Sequence, residues 1–230
     1  MNIEYKTLQE CEGINGVVVV IDVLRAFTTT AYAFARGVAE ITMVSTVEEA
    51  FELKRRDPQL LLMGEVNAYP IEGFDLPNSP SVIDRMNLDG KRLVMRSTAG
   101  TQGVVAAADA SEIYVASLSV GVSTAAALAR DKPEKITFIN TGAKAKGGGE
   151  EDVACSDYIS QLAEHLSPQK SDIEHRVRNS GAAKRFVGGE DSDLPAADLE
   201  YASRFDVFTF VMKIVRQEDQ LVLKQFPGTS

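Results

Sequence analysis

Short aliphatic runs alternate with stretches of helical periodicity over the first two-thirds of the chain. The runs predict strands at residues 17–21, 40–44, 60–63, 93–95, 113–116 and 136–139. Helices are predicted between them, and the helix at 46–56 opens with Thr46 and Glu49, spaced as a capping box. Aliphatic strands that alternate with helices are typical of a mostly parallel sheet covered on both faces. The pattern therefore predicts an α/β fold with three layers, α/β/α. A length of 230 residues suits one large domain or two small ones, and we predict a single domain over residues 1–230.

The last third of the chain has a different pattern. Residues 150–166 predict an amphipathic helix, and residues 195–204 predict a shorter one. Two apolar runs, at 207–215 and 221–226, flank the polar residues 217–220 and predict an antiparallel β-hairpin. We expect this C-terminal hairpin to make the sheet mixed at one edge.

Two segments interrupt the alternation of strands and helices. Residues 65–81 contain three prolines and no clear period, and a loop of that length inside a compact domain is usually functional. Residues 142–150 are rich in glycine and carry Lys144 near their centre. Such a segment is compatible with a mobile flap over a site and with a solvated surface loop.

Composition narrows the range of partners. The 230 residues are 44% hydrophobic and carry a net charge of −9, which disfavours nucleic acid as a partner but allows a small anionic substrate. Cys11 and Cys155 have no metal or disulfide spacing, so reduced thiols are expected. The chain shows neither a signal-peptide pattern nor a long aliphatic run, so we expect a cytoplasmic protein without a membrane partner. Self-association into a homo-oligomer is left open.

One segment, residues 96–101, has the features of an anion cradle. It follows an aliphatic strand and precedes a helical stretch, whose N-terminus offers unpaired N–H groups and a positive dipole end. Arg96 adds a guanidinium fork, Ser97, Thr98 and Thr101 add hydroxyl donors, and Gly100 allows a close backbone approach. The alternative is a plain strand-to-helix turn in which Ser and Thr act as N-caps.

Acidic residues follow the other predicted strands. Asp22 and Arg25 follow the first long strand, Glu65 follows the third, and Glu151 and Asp152 open the helix after the glycine-rich loop. Because the carboxyl ends of parallel strands meet at one edge of a sheet, these groups are expected to converge. Carboxylates that face an arginine-lined anion cradle suit a Mg²⁺-assisted phosphoryl site. The plainer alternatives are that Asp22 caps the next helix, that Arg25 pairs with it, and that the later acids complement a helix dipole.

Other phosphate chemistries lack their residues. Gly148 stands where a Walker loop needs lysine, and Gln161 stands where a cysteine phosphatase based on Cys155 needs arginine. The two histidines, His165 and His175, lie beside acidic residues near predicted helix ends and are interpreted as surface residues. Acid–base work is therefore assigned to carboxylates or to water held on a metal.

Taken in order, the segments around these residues resemble the 2-phosphosulfolactate phosphatase family. The matching segments are residues 19–30, 64–65, 73–80, 96–101 and 151–155, together with residues 205–208 and the terminal hairpin. The resemblance covers nearly the whole chain. It implies Mg²⁺-dependent hydrolysis of 2-phospho-3-sulfolactate to 3-sulfolactate and phosphate, a step in coenzyme M biosynthesis.

These considerations predict a role for each candidate residue. Asp22, Arg25 and Arg96 are the predicted catalytic residues, and water held on the metal is the expected nucleophile, with an Asp22 phosphoenzyme as the alternative. The predicted Mg²⁺ ligands are Asp22, Glu65, Glu151 and Asp152. The predicted substrate-binding residues are Thr28, Asn78, Ser79, Ser97, Thr98, Gly100, Thr101 and Lys144. Two other functions stay open: a phosphatase of the same fold that acts on another small phosphorylated acid, and a non-catalytic anion-binding module.

Overall fold

Ten strands form one continuous sheet in the part of the chain that the structure describes. The structure is a computed structural model, and it describes residues 2–11, 13–142, 148–187 and 192–228. The strands are β1 Asn2–Thr7, β2 Val17–Ile21, β3 Glu40–Met43, β4 Leu61–Gly64, β5 Leu76–Pro77, β6 Arg92–Arg96, β7 Glu112–Ala116, β8 Lys135–Asn140, β9 Phe210–Gln217 and β10 Gln220–Pro227. Their order across the sheet is β1-β8-β2-β7-β9-β10-β3-β6-β4-β5.

The helices of the described residues fill most of the connections between strands. They are α1 Ala26–Ala35, α2 Val47–Arg56, α3 Pro80–Ile83, α4 Gly100–Ala106, α5 Gly121–Asp131, α6 Glu150–Ala163, α7 Lys170–Arg178, α8 Lys184–Val187 and α9 Ala196–Ala202. Short 3₁₀ turns lie at Leu8–Glu10 and Leu118–Val120. Within the described ranges, no helix combines the length and the apolar character that a membrane span requires.

The C-terminal hairpin lies in the middle of the sheet, so the prediction that it forms an edge is wrong. Strand β9 pairs antiparallel with β7, and β10 pairs antiparallel with β3. The hairpin thus joins two parallel groups of strands, β1-β8-β2-β7 and β3-β6-β4-β5. Its alternation of apolar and polar positions is typical of an edge, but a polar position such as Lys213 is paired with Glu112 on β7. The alternation of apolar and polar residues indicates that a hairpin forms, but it does not determine which strands the hairpin pairs with.

Helices cover both faces of the sheet, as the three-layer prediction requires. On one face a β-carbon added to Gly103 of α4 would lie 2.6 Å from a methyl carbon of Val20. On the opposite face the Tyr5 hydroxyl donates to Ser160 of α6 at 2.8 Å, and the Tyr5 ring stacks on Phe138. Strand β2 is buried on both sides as a result, which explains its unbroken run of aliphatic residues.

The elements that the sequence did not predict are short or contain few apolar residues. These are β1, β5, α3, α7 and α8. The predicted cap of α2 is confirmed, since Thr46 Oγ1 accepts a hydrogen bond from the Glu49 N–H at 3.1 Å. The return bond of the capping box differs: the Glu49 carboxylate accepts from the Ser45 N–H at 3.1 Å instead of from Thr46.

Gly64, at the end of β4, allows two strands to approach at the rim of the sheet. Its φ is +153°, and a β-carbon there would lie 2.0 Å from the Arg96 carbonyl oxygen on β6. We expect Gly64→Ala to lower the free energy of unfolding by at least about 3 kcal/mol. The matched control is Gly90→Ala, where φ is +67° but nothing lies within 4 Å, and which should cost about 1–2 kcal/mol. Urea denaturation measures both, and equal losses would contradict the steric argument.

Candidate active site

A cavity of about 480 Å³ opens at the carboxyl ends of β2, β4 and β6. Five of the residues predicted from sequence line it: Asp22, Arg25, Glu65, Asn78 and Thr98. The remaining lining residues are Leu24, Asn67, Ala68, Tyr69, Ala99, Ala182, Arg185 and Phe186. Four strands separate β2 from β6 in the sheet. The sheet therefore curls, so that the ends of its two parallel groups face each other across the cavity.

Asp22 is buried at the end of β2 and connects the two groups of strands. Its Oδ1 accepts from the Ala26 N–H at 3.0 Å, which caps the start of α1 as the plainer alternative predicts. It also accepts from the Gly100 N–H, and a β-carbon on Gly100 would lie 2.8 Å from Asp22 Oδ2. Burial, with the added charges of Glu65 and Glu151, raises the pKa of Asp22 from 3.8 to about 7.

The segment that was predicted to bind an external anion holds the Glu65 carboxylate instead. Glu65 accepts from the Thr98 N–H, from the Thr98 hydroxyl at 3.0 Å, and from the Ala68 N–H. Arg96 donates to the Glu65 carbonyl oxygen at 2.8 Å and does not line the cavity. Because β4 and β6 are neighbours, a carboxylate of the chain itself takes these donors. The segment around residues 96–98 thus positions an acid at the cavity wall.

Three predicted substrate-binding hydroxyls are used inside the fold. Thr101 donates its N–H to Ser97 Oγ at 2.9 Å, and Ser97 donates its N–H to Thr101 Oγ1 at 2.9 Å. Thr28 donates its hydroxyl to the Val23 carbonyl oxygen at 2.8 Å. None of these three side chains lines the cavity. The structure therefore gives them the capping and turn-closing roles that were the plainer alternative.

Glu151 and Asp152, in the first turn of α6, form an acidic group behind Asp22. Asp152 accepts from the Val23 N–H at 2.8 Å and from the Gly142 N–H at 2.7 Å, so it links α6 to β2 and β8. Burial raises the pKa of Asp152 well above its usual range, and the charges of Glu151 and Asp22 add to that effect. Burial also raises the pKa of Glu151. Neither residue is on the cavity wall.

The four predicted Mg²⁺ ligands do not form one ready-made ligand group. Within the described ranges, no set of three His, Cys, Asp or Glu side chains is arranged to hold a metal ion. The oxygens of Glu65 and Asp152 accept hydrogen bonds from the backbone, whereas Glu151 Oε2 is buried without a partner among the described residues. An orphaned carboxylate oxygen near Asp22 fits a Mg²⁺ ion that is held by two carboxylates and completed by water and substrate oxygens.

Arg25 is held at the cavity wall by Asp198 and does not pair with Asp22. Its Nη1 donates to Asp198 Oδ2 at 2.8 Å, and its Nη2 donates to the Ala68 carbonyl oxygen at 2.9 Å. The guanidinium also lies 5.2 Å from the centre of the Phe186 ring. The peptide bond between Leu24 and Arg25 is cis. The contacts with Asp198, Ala68 and Phe186 fix Arg25 at the cavity wall.

Asp198 is a residue that supports the candidate site and that the sequence did not indicate. It lies on α9, is fully buried, and also accepts from the Ser79 hydroxyl at 2.8 Å and the Ser81 N–H at 3.0 Å. It therefore ties the proline-containing loop and Arg25 to the same point. Ser79 is directed to Asp198 by this bond. No local sequence signal marks Asp198, because its partners lie more than a hundred positions earlier in the chain.

Asn78 and Lys144 are the last two predicted residues of the site. Asn78 lines the cavity, is buried, and its Oδ1 has no hydrogen-bond partner among the described residues. The proline-containing loop thus contributes a polar group to the cavity wall. Lys144 lies outside the described residues.

Comparison with known proteins decides the family. The sequence profile described as 2-phosphosulpholactate phosphatase matches residues 3–217. The chain belongs to this family. It is therefore a phosphatase, an enzyme that hydrolyses phosphoric monoesters.

Relatives with the same name cover most of the chain. A protein of Bacillus subtilis (strain 168) named a probable 2-phosphosulfolactate phosphatase is 32% identical over 197 residues, which are 85% of this chain and 86% of the relative. Relatives with that name from Carboxydothermus hydrogenoformans and Thermotoga petrophila are 31% and 30% identical and cover 90% and 91% of this chain. Their matches extend over 90% and 92% of their own lengths.

Proposed function

We propose that this chain hydrolyses 2-phospho-3-sulfolactate to 3-sulfolactate and phosphate, with Mg²⁺ bound at the acidic end of the cavity. The name of the family and of its members supports the substrate. The proposal of a bound Mg²⁺ rests on the group of buried acids Asp22, Glu151 and Asp152, whose pKa values are all raised. A bound cation would favour the charged forms of these buried carboxylates and would offset their repulsion of a phosphate dianion.

Asp22 and Glu151 are the residues that we propose to hold the ion. Mg²⁺, when bound, would offset the charge that develops on the phosphoryl oxygens and activate water for attack. Asp22 is suited to this because two backbone N–H groups fix its carboxylate at the cavity wall. Those bonds also favour water over Asp22 as the nucleophile, since they engage the carboxylate that would have to attack.

Other residues of the chain position the substrate and shield it. Glu65, fixed by Thr98 and Ala68, limits how the phosphoryl group approaches Asp22. Arg25, held by Asp198, supplies a fixed guanidinium at the cavity wall, and Asn78 supplies an amide. A reaction in coenzyme M biosynthesis, inside the cytoplasm, is the cellular role that this substrate implies.

The two alternative functions differ in their support. No observation favours a non-catalytic anion-binding module, because Glu65 takes the Thr98 and Ala68 donors that such a module would need. A phosphatase for another small phosphorylated acid uses the same site, and only the substrate separates it from the proposed function.

A substrate panel tests the proposal. With Mg²⁺ present, phosphate release is measured from 2-phospho-3-sulfolactate, 2-phospholactate and 2-phosphoglycolate. We expect kcat/KM for the first to exceed the others by about 10-fold or more, since each charged contact contributes about 1.5–3 kcal/mol. If kcat/KM for either of the other two esters is equal or greater, the site assignment would stand, but 2-phospho-3-sulfolactate would no longer be the proposed substrate. No release from any ester would refute the proposed function.

A further inference from the structure

Two arginines line the cavity, and their surroundings differ. The guanidinium of Arg25 is buried and bound to Asp198 and to two carbonyl oxygens. Arg185, on α8, is exposed, and its one described contact is a long bond of 3.4 Å from Nη2 to the Asn67 carbonyl oxygen. No carboxylate of the described residues lies within 4 Å of Arg185. Within the part of the chain that the structure describes, its charge is therefore not neutralised by an acidic partner.

The carbonyl oxygen that Arg185 contacts belongs to the turn Asn67–Ala68, whose backbone is held in place by hydrogen bonds. The two residues of this tight turn have positive φ values of 54° and 75°, which residues other than glycine rarely adopt. Three bonds hold it: Thr98 Oγ1 accepts from the Asn67 N–H at 2.7 Å, Glu65 accepts from the Ala68 N–H, and Arg25 donates to the Ala68 carbonyl. The turn thus gives the Arg185 guanidinium a defined neighbour at the cavity mouth.

The cavity wall carries charges of both signs. Asp22 and Glu65 provide the acidic groups, where the phosphoryl group and a cation are proposed to meet. Arg185 adds a guanidinium to the same cavity, from a helix in the C-terminal third of the chain. A guanidinium fork binds carboxylate, sulfonate and phosphate oxygens in pairs. A substrate that carries a second acid group could use this guanidinium, whereas a phosphate monoester of a neutral alcohol offers it no second anion.

We propose that Arg185 is a specificity-determining residue that binds the second acid group of the substrate, the carboxylate or the sulfonate, while the phosphoryl group lies at Asp22. The inference rests on the proposed function for the position of the phosphoryl group. It assigns to Arg185 a role in substrate choice and none in the bond-breaking step.

The test compares Arg185→Gln with the wild type on three phosphate esters. These are 2-phospho-3-sulfolactate, 2-phospholactate, which lacks the sulfonate, and isopropyl phosphate, which lacks both acid groups. We expect kcat/KM to fall about 10- to 100-fold on the first and less than about 3-fold on isopropyl phosphate. If kcat/KM also falls on 2-phospholactate, Arg185 binds the carboxylate. If kcat/KM on 2-phospholactate is unchanged, Arg185 binds the sulfonate. Equal losses on all three esters, or no loss on any, would overturn the proposal.

A binding measurement keeps this inference separate from the proposed activity. Titration calorimetry with 3-sulfolactate should give a Kd that rises about 10-fold or more in Arg185→Gln and less in Arg185→Lys, which keeps the charge but loses the fork. The control is Arg55→Gln, an exposed arginine on α2 that pairs with Glu52 and should leave the Kd unchanged. If the wild type releases no phosphate, a weaker Kd in Arg185→Gln still supports the acid-group role. Equal Kd values, or no binding to the wild type, would refute it.

Discussion

Replacing Asp22 by Asn is expected to abolish phosphate release and, at the same time, to stabilise the Mg²⁺-free protein above pH 7. Activity should fall at least about 1,000-fold, because the proposed cation and the substrate then lose a fixed carboxylate. The free energy of unfolding at pH 8 should rise by about 1–3 kcal/mol, since a buried negative charge is removed and only one hydrogen bond to the Gly100 N–H is weakened.

The pH dependence of stability follows from the direction of the Asp22 shift. Its pKa is about 7 in the folded chain and 3.8 when unshifted, so the folded state binds the proton more tightly between those values. The stability of the Mg²⁺-free wild type should therefore fall as the pH rises from about 4 to about 7 and stay low above that. Burial of Asp152 acts in the same direction. In Asp22→Asn this decline should be smaller.

Urea denaturation across that pH range, with chelator present, measures the effect. As a control, adding Mg²⁺ at pH 8 should stabilise the wild type more than Asp22→Asn, because the ion favours the charged carboxylate. A variant that is less stable than the wild type at pH 8 would show that Asp22 is mainly a structural cap. Retained activity would remove it from the catalytic site.

Replacing Asp198 by Ala is expected to give the largest loss of stability in the site. Asp198 is fully buried and accepts bonds from Arg25, Ser79 and Ser81. Removing it leaves the Arg25 guanidinium buried without its counter-charge, and breaking such a pair costs about 3–5 kcal/mol. In conditions where the variant stays folded, kcat/KM should fall about 100-fold, since Arg25 and the proline-containing loop lose their common anchor.

A surface ion pair supplies the matched control for Asp198. Asp157→Ala breaks a pair with Arg176 whose side chains are each 31% exposed, and it should cost less than about 1 kcal/mol. The double variant Arg25→Ala/Asp198→Ala should lose less stability than the sum of the two single variants. Additive losses, or a cost equal to that of Asp157→Ala, would contradict the role of the buried pair.

The sequence predicts the architecture well because most strands are buried on both faces. Strand β2 has the unbroken aliphatic run that this environment requires, and the strands from β2 to β8, apart from the two-residue β5, were predicted to within about two residues. The central position of the hairpin was not predictable. Lateral neighbours depend on pairing between segments far apart in the chain, which no local pattern records.

The candidate site was predicted in part for the same reason. Asp22, Glu65 and Asn78 follow strands or lie in a long loop, so their convergence follows from the rule that strand ends meet at one rim. The contact between Glu65 and Thr98 was missed. The sequence shows that residues 96–101 are rich in hydrogen-bond donors, but it does not show which acid binds to them. Asp198 and Arg185 were missed because they lie in the C-terminal third, and their contacts with the rest of the site span more than a hundred residues.

Phosphate release from 2-phospho-3-sulfolactate, by protein stripped of metal with a chelator and then supplied with Mg²⁺, tests the central claim most directly. The account predicts release near background in the stripped protein and a rise of at least about 100-fold when Mg²⁺ is restored. Equal release with and without the ion would contradict it, because the buried acids around Asp22 would then act without a cation.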